Sequence, residues 1–218
     1  NGVAWYEREL AIPADAGPRI MLTFGAVDWA ATVWVNGNKV TEHEGGYVPF
    51  SADITDTVKP GESARITVRA VDRTDPDLPT GKQIGWYTQT GGIWQTVYLE
   101  SRPESAVLSS HVYPDIDKGE AQFKIRLTIA KSGPYSVTVK AKHGDLEHVI
   151  SKTNDFAVGE QSAEFILPIP NPALWSPDEP NLYDATIELA QNDKTMDTVH
   201  TYFGMRKMSR GTYMGSEH

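Results

Sequence analysis

"ATVWVNGNKV", residues 31–40, decides the fold class. Val33 and Val35 alternate with Thr32 and Trp34, the period of two that sends one set of side chains into a core and the other away from it. Asn36-Gly37 follows at once. Both residue types tolerate φ > 0, and an Asn-Gly pair between alternating apolar stretches is the strongest short-range signal for a β-hairpin. The sequence after the turn, "NKVTEHEGGYVPFSADIT", keeps to the same grammar. Gly45-Gly46 let the chain turn a corner without steric cost, and Pro49-Phe50 re-enter a strand.

Strand patterns surround this hairpin. Residues 4–12, "AWYERELAI", are apolar and aromatic with charges interleaved, and residues 19–25, "RIMLTFG", form a mostly apolar run. In residues 64–72, "ARITVRAVD", Ile66, Val68 and Ala70 face one way and Arg65, Thr67 and Arg69 the other. "IWQTVYLE", residues 93–100, makes another strand, and the Pro, Asp and Gly of "DRTDPDLPTGKQ", residues 72–83, make a loop. No segment of this half has a helical period of useful length.

Polar residues and Pro103 mark a boundary near residues 100–107, after which the pattern restarts. In "QFKIRLTIA", residues 122–130, Phe123, Ile125, Leu127 and Ile129 line one face, and "YSVTVKAK" and "LEHVISK" flank a turn at His143-Gly144-Asp145. "AEFILPI", "ATIELAQ" and "DTVHTYFGMRK" complete about seven strands in about 100 residues, the count of an immunoglobulin-like sandwich. The first half reads as a jelly-roll-like sandwich with long rim loops. The fold class expected is therefore all-β.

Composition narrows the function. The 218 residues, 39% apolar and 22% charged, suit a chain with a real core. A net charge of −9 disfavours nucleic acid as a partner, because phosphate binding needs clustered Lys and Arg. No apolar run reaches the 18 residues of a membrane span. There is no Cys, hence no disulfide and no thiolate metal site; this fits many compartments, a periplasmic or secreted bacterial one among them. No cofactor motif is present. The chain opens in "NGVAWYEREL" without a leader pattern and stops in "GTYMGSEH", so we expect a piece cut from something longer.

Several motifs occur together and in order: "WYEREL", "VWVNGNKVTEHEGGYVPFSADIT", "ARITVRAVD", "PTGKQ", "GGIWQTVYLE", then "PALWSPDEPNLYDATIEL" and "DTVHTYFGMRK". This series resembles the N-terminal sugar-binding jelly roll and the immunoglobulin-like domain of glycoside hydrolase family 2, which includes β-galactosidases, β-glucuronidases and β-mannosidases. The resemblance covers nearly the whole chain. It implies a jelly roll over residues 1–104 with its first strands truncated, an immunoglobulin-like sandwich over 105–207, and, at 208–218, the start of a linker to a catalytic barrel that is missing here. It also implies a carbohydrate substrate reached through a parent retaining β-glycosidase, with β-galactosidase the activity expected, and no hydrolysis by this chain itself. The competing expectation is a free-standing carbohydrate-binding or adhesion module.

Retaining hydrolysis needs two carboxyl groups about 5–5.5 Å apart on a rigid frame, and no such pair stands out, so no catalytic residue is assigned. Glu42 and Glu44 flank His43 on one strand; "EHE" reads either as acid/base or metal chemistry or, in keeping with solvated charges on strands, as an exposed edge. The histidines form no metal set, His143 and His148 lying five apart across a turn. Asp72, Asp75 and Asp77 have the composition of a calcium loop without its spacing, and a solvated turn-rich loop is the plainer reading; no metal is assigned. The aromatic residues offer more. Trp86 and Tyr87 in "IGWYTQTGG" are flat platforms suited to the apolar face of a sugar, and Gln89 adds an amide that bonds hydroxyls in both directions. The resemblance puts this segment at the barrel mouth and makes Trp86, Tyr87 and Gln89 the substrate-binding candidates. It also puts Trp86 where the β-glucuronidase-like pattern has an acidic residue. Packing of Trp86 against the barrel is the alternative. Trp34, Trp94 and Trp175 read as structural, the last beside the turn forced by Pro177 and Pro180.

Overall fold

A computed structural model describes residues 2–73 and 90–210, together with the backbone of 212–213 and 216–217. The chain divides between Pro103 and Glu104 into two compact units, each built of β-strands.

The first unit carries β1 (Gly2–Ala11), β2 (Arg19–Phe24), β3 (Val27–Asp28), β4 (Ala30–Val35), β5 (Asn38–Glu44), β6 (Phe50–Asp53), a 3₁₀ turn (Thr55–Thr57), β7 (Ser63–Asp72), β8 (Gly92–Ile93) and β9 (Val97–Arg102). One sheet runs β1-β7-β4-β5, a second runs β6-β2-β9, and β3 pairs with β8. All these pairs are antiparallel. The faces follow the alternation: Ile66, Val68 and Ala70 of β7 and Val33 and Val35 of β4 are buried, together with Leu22 and Phe24 of β2. Full burial of each such Val, Leu, Ile or Phe side chain contributes about 1.5–3 kcal/mol.

The Asn-Gly turn has φ of 51° at Asn36 and 82° at Gly37, as a two-residue hairpin of this type requires. Asn36 does more than turn. Its side chain accepts from the amide of Arg65 and donates to the carbonyl of Thr57 (both 2.9 Å), tying the hairpin to β7 and to the 3₁₀ turn.

β1 departs from simple alternation. Its register with β7 puts Tyr6, Arg8 and Leu10 opposite Val68, Ile66 and Ala64, on the core face, yet the strand is exposed along nearly all its length. β1 ends one sheet and β9 the other, and between them lies an apolar cleft of about 320 Å³ floored by Leu22, Phe24, Ile66 and Val68.

The second unit has seven long strands: β10 (Ala106–Asp115), β11 (Glu120–Ile129), β12 (Gly133–His143), β13 (Leu146–Phe156), β14 (Gly159–Pro168), β15 (Tyr183–Gln191) and β16 (Lys194–Phe203). They form sheets β10-β11-β14 and β13-β12-β15-β16, an immunoglobulin-like sandwich in which β13 pairs with β12. Phe123, Ile125, Leu127 and Ile129 are all buried and face Val137, Val139, Ile187 and Leu189 in one core. The two buried tyrosine hydroxyls have hydrogen-bond partners. The Tyr183 hydroxyl, at the start of β15, accepts from the amide of Ala173 ten residues upstream (2.8 Å), the pattern of a tyrosine corner. The Tyr135 hydroxyl donates to the carbonyl of Lys131 (2.8 Å).

Candidate functional site

Trp86, Tyr87, Gln89, Asp75 and Asp77 lie outside the described residues. The described chain leaves toward them at the end of β7 and returns at β8, and the residues at that junction form a rim.

Asp28 is central to it. β3 and β8 pair Asp28 with Gly92 and Val27 with Ile93, and Trp29 continues by donating its amide to the carbonyl of Val71 (3.0 Å). The Asp28 side chain lies beneath the Gly45-Gly46 corner, and only 9% of the residue is exposed. Burial raises its pKa above the usual carboxylate value, and the nearby charge of Asp72 raises it further.

The glycines here leave space that these side chains occupy. A Cβ on Gly46 would sit 2.4 Å from Asp28 Oδ1, and one on Gly91 would sit 2.6 Å from Asp72 Oδ2. One on Gly92 would be 2.1 Å from the Tyr6 hydroxyl. The two glycines of the corner therefore serve different needs: Gly45 takes φ of 124°, while Gly46 makes room for a carboxylate.

Aromatic residues border the same corner. Trp94 is half-buried and donates its indole N–H to the carbonyl of Gly46 (2.7 Å), a structural bond. Tyr47 stands edge-on to Trp94 at 5.7 Å and is 46% exposed. Two carboxylates, a tyrosine hydroxyl and an exposed aromatic ring thus meet where the segment 74–89 departs. Such a set suits a hydroxyl-rich ligand with an apolar face.

The other motifs resolve differently. Glu42 and Glu44 face outward opposite Thr32 and Ala30 on the sheet-edge strand β5, whereas His43 turns inward. His43 stacks on Phe50 at 4.3 Å, and its Nε2 is 3.2 Å from the carbonyl oxygen of Gly45. "EHE" is therefore split across the sheet and shares no site. His143 and His148 flank the β12–β13 turn, and His143 Nδ1 is 2.8 Å from the carbonyl oxygen of Leu182. Among the described residues no group of three or more His, Asp or Glu side chains is placed to hold a metal ion. Trp175 packs under Gly204 with the Arg206 guanidinium over its ring at 5.1 Å. Trp34, opposite in direction to the buried Val33 and Val35, faces outward and stacks on Trp5 at 5.6 Å.

Asp28 and Tyr6 are the rim residues that the sequence alone did not single out. No local motif marked them: that Val27 and Asp28 are adjacent and both buried, against a period of two, is visible only in the structure.

Comparison with known proteins follows the same division. Residues 1–103 match the family model "Glycosyl hydrolases family 2, sugar binding domain", and residues 106–206 match "Glycosyl hydrolases family 2". The chain is 28% identical to a β-galactosidase of Thermoanaerobacter pseudethanolicus over 211 residues, covering 94% of this chain and 28% of that protein. It is 28% identical to a β-glucuronidase of Sus scrofa, covering 81% of this chain and 30% of the relative. A solved structure of a glycosyl hydrolase family 2 member from Bacteroides cellulosilyticus superposes with a TM-score of 0.83 at 24% identity, over 95% of this chain and 29% of that one. The chain thus spans only about 30% of the length of these relatives.

Proposed function

Because this chain belongs to glycosyl hydrolase family 2, we propose that it supplies the non-catalytic β-domains of a retaining β-glycosidase and that its jelly roll helps shape the sugar pocket. The observation that carries this reading is the pair of family matches, sugar-binding domain first, across both units in order.

Bond cleavage belongs, in this reading, to a part of the longer polypeptide outside these 218 residues. The contribution of the first unit is positional. Trp86 and Tyr87 stack on the apolar face of the sugar, and Gln89 bonds its hydroxyls. The nearby rim supports them: Asp28, Asp72 and Tyr47 stand at the departure of that segment, and its glycines fit tightly around the two carboxylates. The relatives include both β-galactosidases and β-glucuronidases. We assign a β-galactoside, because a bulky indole at position 86 offers no charge for reading a uronate and a good surface for a neutral ring.

A chromogenic assay tests this. The 218-residue chain alone is expected to turn over neither β-galactoside nor β-glucuronide above buffer, and the longer polypeptide to cleave the β-galactoside. In that polypeptide Trp86→Ala is expected to raise KM at least tenfold. Turnover by the chain alone would end the non-catalytic reading, and preference for the glucuronide would end the sugar assignment.

A further inference from the structure

The outer face of the β1-β7-β4-β5 sheet, away from the rim, carries an aromatic platform. The strand registers align two cross-strand rows there: Trp5, Arg69, Thr32 and Glu42 in one, and Glu7, Thr67, Trp34 and Lys39 in the next. Residues opposite one another in such rows share a face. Trp5 and Trp34 stand on strands separated by β7, yet their rings stack at 5.6 Å with 26° between planes. On the intervening strand Trp5 opposes Arg69 and Trp34 opposes Thr67, so the two indoles meet across a diagonal of the sheet.

Three features set this pair apart from a packed core contact. Trp5 is 62% exposed, so one face of its indole remains open while Trp34 braces the other. Neither indole N–H has an acceptor among the described residues, in contrast to Trp94, whose N–H is bound to Gly46. Groups that can bond hydroxyls frame the ring: Arg69 lies beside it without an ion-pair partner among the described residues, and Glu7 and Glu9 lie farther along β1 near Arg65.

We propose that this face is a second carbohydrate-binding surface, which takes one ring of a neutral β-linked pyranose oligosaccharide on the open face of Trp5. The chemistry fits the ligand at each point. Equatorial substituents leave the ring C–H groups of such a sugar as a flat apolar face, which an indole matches. Hydroxyls around the ring edge reach the two free indole N–H groups and the Arg69 guanidinium. Stacking on Trp34 fixes Trp5 before binding, so little side-chain freedom is lost when the sugar arrives. The apolar area is two indoles enclosed by charges of both signs, far short of the roughly 800 Å² that each partner gives to a stable protein interface. The proposal is independent of the pocket role assigned to residues 86–89.

The test is a titration of the ¹⁵N-labelled 218-residue chain with cellotetraose and with β-1,4-galactotetraose, read at the indole N–H signals. The signals of Trp5 and Trp34 are expected to shift saturably. Trp5→Ala should abolish the shift at Trp34, and Trp34→Ala should weaken binding about tenfold, the loss of one aromatic contact. Both variants are to be checked for unchanged far-UV circular dichroism. Should Trp5→Ala disturb the fold, Arg69→Met leaves both indoles in place and is expected to weaken binding about tenfold by removing charged hydrogen bonds. Shifts at Trp5 and Trp34 that saturate independently of any shift at the Trp86 signal separate this binding from the pocket reading. Immobile Trp5 and Trp34 signals in the folded chain, shifts that survive Trp5→Ala, or concentration-dependent broadening without sugar, as self-association would give, would each overturn the proposal.

Discussion

The two sandwiches of this chain put similar alternation to different uses. In the second, a single core holds the inward residues of β11, β12, β14 and β15, and its buried tyrosines have partners. In the first, an apolar cleft opens between β1 and β9, and the Asp28 carboxylate is buried near the like charge of Asp72 with no ion-pair partner among the described residues. Exposed rings occur in both units, Trp5 in the first and Tyr113 and Tyr202 in the second, so the difference lies in the cleft and the buried carboxylate. The contrast teaches that the same alternation closes one core completely and leaves the other open along an edge strand.

The largest effect expected comes from breaking the closed unit. Phe123 is fully buried and stands edge-on to Phe203 at 5.5 Å. Phe123→Ala should cost about 4 kcal/mol. In chemical denaturation this should displace the transition of the second unit and leave that of the first in place; a common shift of both would abolish the distinction between them.

A smaller effect is expected at the rim. Gly46→Ala drives a methyl group to 2.4 Å from Asp28 Oδ1, and Gly46 has no left-handed backbone to add strain of its own. The cost should be about 2 kcal/mol, the range for overpacking. Because the clash is with the carboxylate, Asp28→Ala should restore most of the loss in the double variant. Additive losses would mean that Gly46 is needed for another reason.

The smallest effect is one of pH. The Asp28 pKa is raised by burial and by Asp72, so the folded state holds its proton more tightly than the unfolded chain. Its favourable contribution is complete below the ordinary carboxylate pKa and is lost as pH rises through the raised folded value. Asp28→Asn should therefore leave stability unchanged near pH 3 and raise the melting midpoint by a few degrees at pH 7. Asp53 works in the opposite sense. Burial pushes its pKa up, but hydrogen bonds from Thr55 and Arg19 outweigh this and hold it low, so its stabilisation is lost as pH falls through that lowered value. A variant that melts lower at pH 7 would show that the Asp28 carboxylate is held by a partner.

Much of the fold was legible because β-structure is written in short-range signals. The buried set Ile66, Val68 and Ala70 and the set Phe123, Ile125, Leu127 and Ile129 follow from a period of two. The site was legible only in part. The corner at Gly45-Gly46 could be placed, but Asp28, whose side chain fills the space beside the second glycine, sits 18 residues earlier with no motif linking the two. β1 could be read as a strand from its apolar and aromatic residues with interleaved charges, but that it is an edge strand beside an open cleft, exposed along nearly all its length, was not legible.

The sequence by itself determined the all-β class, the turns and the inward or outward direction of most side chains, because these depend on φ preferences and neighbours along the chain. The tertiary structure alone decided which distant residues meet: Trp5 with Trp34, Asp28 with Gly46, Asn36 with Arg65. Those meetings depend on strand order and register, which are set by how two sheets bury their faces together, and no local pattern encodes them.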